Sequence, residues 1–113
     1  MQRDAAYLRD IQESARLALA YLDGIDLETF VGNTQLQDAV IRRVEIIGEA
    51  ARRVSEETRI AHPGLPWRQM IGMRNQVIHM YDGVDVAVVY DTVREDLPAL
   101  LEALARIVGR EAS

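Results

Sequence analysis

Apolar residues recur at the helical period in four stretches of this chain, and that periodicity constrains the fold more than any other feature. The clearest case runs from Asp85 to about Val108, where Val86, Val89, Val93, Leu97, Leu100, Leu101, Leu104 and Ile107 keep one phase. Pro98 interrupts this run, yet the phase survives it, so the expectation is a kink or two abutting helices and no change of direction. Residues 4–23 place Tyr7, Leu8, Ile11, Ala15, Ala18, Leu19 and Leu22 on one stripe, with Asp4 as N-cap and Gly24 as the stop. Residues 25–33 read as a loop with Gly32-Asn33 as its turn. Thr34-Gln35-Leu36-Gln37 then reads as a capping box opening a helix that runs to about Glu57.

The main face of that second helix is Leu36, Val40, Ile47, Ala51 and Val54. Ala39, Ile46 and Ala50 on one flank and Ile41 on the other widen it. So wide an apolar arc calls for two neighbours, one of which could come from another subunit. After the break at His62-Pro63-Gly64-Leu65-Pro66, a third helix opens at Pro66 and carries Trp67, Met70, Ile71, Val77, Ile78 and Tyr81 at helical spacing. Asp82-Gly83 ends it. Residues 84–88 alternate as a strand would, but a lone strand has no partner, and helix is the better reading. The expected fold is all-α, an up-and-down bundle of four to five helices, in one domain over residues 1–113.

Composition excludes several chemistries. Apolar residues make up 49% and charged residues 27%, the balance of an ordinary globular chain. No cysteine is present, which removes disulfides, thiolate metal sites and a Cys nucleophile. Two histidines, His62 and His79, cannot build a multi-histidine metal centre within one chain. All 13 basic residues are arginine, so Schiff-base chemistry and a phosphate-loop lysine are absent too. The net charge of −5 disfavours general nucleic-acid binding, which is driven by clustered positive charge. Neither a signal-like start nor a membrane-length apolar run occurs, which points to the cytosol and away from the membrane.

The third helix carries the most specific signal. Its stripe reads 67, 70, 71, 74, 77, 78, 81, and position 74 is arginine. A charge on an apolar stripe must be paired or must open onto a cleft. Arg74 therefore either pairs with Glu45 or Glu49 of the second helix or lines a functional groove. His79 follows five residues later, which on an ideal helix puts it roughly 140° away from Arg74. Asn75 and His79, four apart, share a face. A joint Arg74–His79 site needs either a helix ending near His79 or a second copy across a two-fold axis. The remaining polar groups have plainer readings. His62 is an exposed loop residue and Trp67 a core anchor. Arg42, Arg43, Arg52 and Arg53 form a solvated face with Glu45, Glu49, Glu56 and Glu57.

Residues 70–81, Met-Ile-Gly-Met-Arg-Asn-Gln-Val-Ile-His-Met-Tyr, resemble the signature of the HEPN superfamily, and most closely that of the HepT-like toxins paired with a minimal nucleotidyltransferase antitoxin. The pattern is Arg74, four residues, His79, Met80, Tyr81. Ile46-Ile47-Gly48-Glu49-Ala50, Pro66-Trp67-Arg68 and Glu95-Asp96-Leu97-Pro98 extend the resemblance over nearly the whole chain. It implies an all-α homodimer with both motifs in a shared cleft. It also implies a metal-independent ribonuclease without a cofactor, and AMP transfer from the antitoxin to Tyr81. Such an enzyme uses the RNA 2′-hydroxyl as nucleophile. His79 would be the general base or acid, Arg74 would hold the phosphate and Asn75 would support them. The competing reading is a non-catalytic HEPN protein that binds nucleotide or protein as the partner of a nucleotidyltransferase. The acidic charge favours that alternative, and the intact motif favours the enzyme.

Overall fold

A computed structural model describes the backbone of residues 2–80 and 86–112, with the side chains of residues 2, 74, 76–80 and 109–112 outside the description. The described elements are α1 (Gln2–Tyr21), α2 (Leu27–Val31), α3 (Thr34–Arg53), α4 (Glu56–Ala61), α5 (Trp67–Met80), α6 (Val86–Asp91), a π-helical turn (Thr92–Asp96) and α7 (Leu97–Ala112). No strand occurs among the described residues. The all-α expectation holds, and the alternating stretch enters α6 at Val86.

Helix α3 occupies the middle of the fold and packs against both α1 and α5, while α1 also packs against α7. The wide apolar arc of α3 thus finds both its neighbours inside the chain. Val40, Val44, Ile47 and Ala51 are fully buried there. They meet Leu8, Ile11 and Ala15 of α1, Leu22 just after it, Met70 and Met73 of α5, and Val93, Leu97 and Leu104 of the last helical run in one core. Each large side chain buried in this way contributes about 1.5–3 kcal/mol of transfer free energy.

Helix boundaries differ from the sequence expectations at four places, each for a local reason. Asp4 is not an N-cap. It lies inside the first turn of α1, is 3% exposed, and its carboxylate accepts from Ser55 N at 3.1 Å, Ser55 Oγ at 2.6 Å and Thr58 Oγ1 at 2.5 Å. The stop at Gly24 is confirmed, with a φ of +72° that favours glycine. The segment read as a loop contains α2, a helix far too short to form alone. Asp26 caps it by accepting from Thr29 N at 2.8 Å, and Phe30 anchors it with no exposure. The cap of α3 is Asn33, which accepts from Leu36 N at 3.0 Å, and not Thr34. Gln37, assigned to the capping box, instead donates to the carbonyls of Phe30 at 2.9 Å and Val31 at 2.8 Å, closing the end of α2.

The fourth difference is the end of α3. It stops at Arg53 because Val54 turns extended (φ −64°, ψ 137°) with its side chain in the core at 1% exposure. Ser55 then caps α4 by accepting from Thr58 N at 3.2 Å. Arg59 secures the break by donating to the carbonyls of Val54 at 3.1 Å and Arg52 at 2.8 Å.

The last run is α6, the π turn and α7 in unbroken succession, the abutting segments that were one of the two expected outcomes at Pro98. In a regular α-helix its ring would meet the carbonyl of Arg94. The wider π turn directly before α7 relieves that conflict, and the helical path continues. Thr92 Oγ1 donates to Val88 O at 2.8 Å across the entry to this turn.

Candidate functional site

Helix α5 carries the Arg74–His79 segment, and its first turn is fixed from three sides. The Pro66 carbonyl accepts from Met70 N at 2.9 Å, so Pro66 sits at the helix mouth where a missing N–H costs nothing. Trp67 Nε1 donates to His62 O at 2.9 Å, tying the helix to the loop after α4. Trp67 is half-buried against the core, as an anchor should be. Gln69 Nε2 donates to Asp96 Oδ2 at 2.8 Å, tying it to the π turn. Met70 at 0% and Met73 at 2% exposure then set the rotation of the helix, with Trp67 and Ile71 packed at the edges.

The backbone stays helical from Trp67 to Met80. Arg74 and His79 therefore keep their separation of roughly 140° around the axis within one chain. Asn75 is exposed, two residues beyond the buried Met73. The side chains of Arg74 and His79, and all of Tyr81, lie outside the described residues. The pairing of Arg74 with Glu45 or Glu49 lies outside them for the same reason. Of those two acids, Glu45 binds Arg42 at 2.8 Å, and Glu49 lies 3.4 Å from Arg52 and 3.8 Å from Arg53. Arg42, Arg52 and Arg53 thus form the solvated, ion-paired face expected of them, but with acids on α3 itself, whereas Arg43 is half-buried and joins no ion pair among the described residues. Among the described residues, Glu56 and Glu57 take part in no ion pair.

His62 departs from its expected place. It is half-buried, and its backbone N–H caps α4 through the carbonyls of Thr58 and Arg59. Among the described residues no three His, Asp or Glu side chains gather into a metal site, and no helix is long and apolar enough to cross a membrane. Sequence reasoning missed the groove between α1 and α3, lined by Tyr7, Asp10, Arg42, Glu49 and Arg53. In the sequence Tyr7 reads only as an apolar stripe residue, and the i,i+3 charge pairs give no sign that the face is concave.

Comparison with known proteins adds an independent line. The sequence model described as "Ribonuclease HepT-like" matches residues 11–107, a span that includes the whole Arg74–Tyr81 motif. The chain is 45% identical over 94 residues to "Probable ribonuclease HepT" of Thermococcus cleftensis, covering 83% of this chain and 86% of that protein. It is 41% identical over 95 residues to "Putative RNase MJ1380" of Methanocaldococcus jannaschii, covering 84% and 87%. No solved structure matches the chain.

Proposed function

The chain belongs to the HepT-like ribonuclease family, and from that premise we propose that it cleaves RNA in a cleft shared by two copies of the chain. Arg74 and His79 are the catalytic residues and Asn75 supports them. The observation that carries this reading is the family match across residues 11–107, a range that includes the motif.

The chemistry follows from what the residues can do. The RNA 2′-oxygen attacks the adjacent phosphorus, forming the 2′-O–P bond as the P–O5′ bond breaks. One imidazole takes the 2′-hydroxyl proton and a second gives a proton to the departing 5′-oxygen. The motif offers one imidazole per chain, that of His79, since His62 lies outside it, at the end of α4. The second role falls to the partner subunit's His79. Arg74 holds the phosphate through two parallel N–H donors and stabilises the charge that builds on its oxygens. The two-fold arrangement also removes the angular conflict inside α5, because Arg74 of one copy can then work with the partner subunit's His79.

Tyr81 is the AMP acceptor for a minimal nucleotidyltransferase antitoxin, in a toxin–antitoxin pair of the type VII kind. AMP attached there adds bulk and negative charge beside the phosphate site, which blocks RNA and repels it. The test is incubation with the antitoxin and ATP, followed by mass analysis. AMP addition to the wild type and none to Tyr81→Phe supports the assignment, whereas modification that persists in Tyr81→Phe moves the acceptor elsewhere. The net charge of −5 favours a second reading, a non-catalytic binding partner of the nucleotidyltransferase. A folded wild-type dimer that binds RNA or nucleotide without cleaving RNA would select it.

A further inference from the structure

The α1–α3 groove has no part in the chemistry above. Its volume is ≈190 Å³, and Ile46 and Ala50 contribute apolar surface between Tyr7 and Arg53. Four of its seven lining residues, Asp10, Arg42, Glu49 and Arg53, are charged. Protein–protein interface cores shed charge, so this groove suits a planar polar ligand better than a second copy of the chain. An aromatic ring and aliphatic side chains beside charged groups are what an unstacked base of single-stranded RNA requires.

We infer that this groove is a subsite for a purine base of the RNA substrate, guanine in preference to adenine, with the neighbouring phosphate on Arg53. Two groups make the assignment specific. Asp10 is exposed and has no hydrogen-bond or ion-pair partner among the described residues. Its carboxylate offers two acceptor oxygens side by side. The Watson–Crick edge of guanine presents two adjacent donors, N1–H and the exocyclic N2–H, whereas adenine presents only its exocyclic amine. Arg53 is 59% exposed and makes no hydrogen bond. Its nearest carboxylate oxygen, on Glu49, is 3.8 Å away. Its donors are therefore available to a phosphate. Arg42 is not, because Glu45 holds it at 2.8 Å.

Helix α3 forms one wall of this groove and also packs against α5. A helix is about 10 Å across, so a strand engaged at the α5 motif reaches the groove within a few nucleotides. The inference rests on the proposed nuclease function for the identity of the ligand as RNA.

The test uses the full chain and fluorescently labelled 2′-O-methyl pentanucleotides, which lack the attacking hydroxyl and resist cleavage. One carries a single guanine in an adenine background, and the other is all adenine. Anisotropy titration of the wild type should give roughly tenfold tighter binding of the guanine oligonucleotide, the worth of one good hydrogen bond. Asp10→Asn should abolish that preference. Arg53→Ala should weaken both oligonucleotides about equally. Both positions are exposed, so neither variant endangers folding. Equal wild-type affinity for the two oligonucleotides, or a preference unchanged in Asp10→Asn, overturns the subsite. So does an NMR perturbation of α1 and α3 amides that follows protein concentration in place of RNA. Cleavage of unmodified RNA separates the two claims. Cleavage without the guanine preference removes the subsite alone, and the preference without cleavage removes the nuclease reading alone.

Discussion

Ser55 donates its hydroxyl proton to the Asp4 carboxylate at 2.6 Å, across 51 residues of sequence. Thr58 Oγ1 and Ser55 N donate to the same carboxylate. This cluster joins the first turn of α1 to the cap of α4 and so fixes where the chain turns after α3. Burial opposes the charge on Asp4, and the hydrogen bonds from Ser55 and Thr58 outweigh it, holding its pKa below the ordinary carboxylate value. A depressed folded-state pKa stabilises the fold above the unfolded-state value of about 4, and that stability is lost as pH falls through the folded pKa. Thermal melts of the wild type should therefore drop below about pH 4 by more than those of Asp4→Asn. At pH 7, Asp4→Ala should cost about 2–3 kcal/mol, because charged hydrogen bonds are lost and buried donors are left unpaired.

Gln37 should behave as a closure for α2 and not as a helix cap. Its amide donates to two carbonyls at the end of α2. Gln37→Glu puts acceptor oxygens against those acceptors and should destabilise by about 1–3 kcal/mol. Denaturant midpoints measure this. If Gln37 served a capping box at α3, glutamate would be tolerated, since either residue fills that position.

Arg94 and Tyr90 form a coupled pair at the C-terminal end of α1. Arg94 Nη1 donates to Leu22 O at 3.0 Å while its guanidinium lies 5.5 Å from the Tyr90 ring centroid. Tyr90 donates to Ile25 O at 2.6 Å and its ring meets that of Phe30. Tyr90→Phe should cost about 1 kcal/mol through the lost hydrogen bond. A double-mutant cycle of Arg94→Ala with Tyr90→Ala should return a coupling of about 0.5–1 kcal/mol.

Much of this architecture was legible in the sequence. The phase of Val89, Val93, Leu97, Leu100 and Leu104 predicted a continuous buried face, and all five are buried. What the sequence concealed was contact between distant residues. Asp4 looks like a cap for its own helix, because nothing in the first turn shows that Ser55 will arrive beside it. Helix α2 was invisible, because five residues carry too little periodicity and Phe30 orders them only by entering a core made elsewhere. The π turn follows from Pro98, but its position depends on the carbonyl that the ring would strike. At the candidate site, the residue pattern carried the assignment of Arg74 and His79. The structure contributes an α5 whose rotation is set by Met70 and Met73 and whose first turn is pinned by Trp67 and Gln69.

The pinning of α5 has its own expected effect. Gln69→Ala removes the 2.8 Å bond to Asp96. The bond is exposed, so the stability cost should be at most about 1 kcal/mol. Catalysis is more sensitive to placement than stability is, and small misplacements cost rate steeply. Steady-state cleavage kinetics should show kcat falling more than KM rises in Gln69→Ala, with partial rescue by Gln69→Asn.

In the proposed mechanism His79 transfers protons in RNA cleavage that proceeds through the 2′-hydroxyl. Purified wild type and His79→Ala, each confirmed as a folded dimer, are incubated with single-stranded RNA in EDTA, and the product ends are identified by mass. Wild-type products should end in a 2′,3′-cyclic phosphate, and His79→Ala should give none above background. Cleavage by His79→Ala at the wild-type rate, or wild-type products without the cyclic end, would overturn the proton-transfer role of His79.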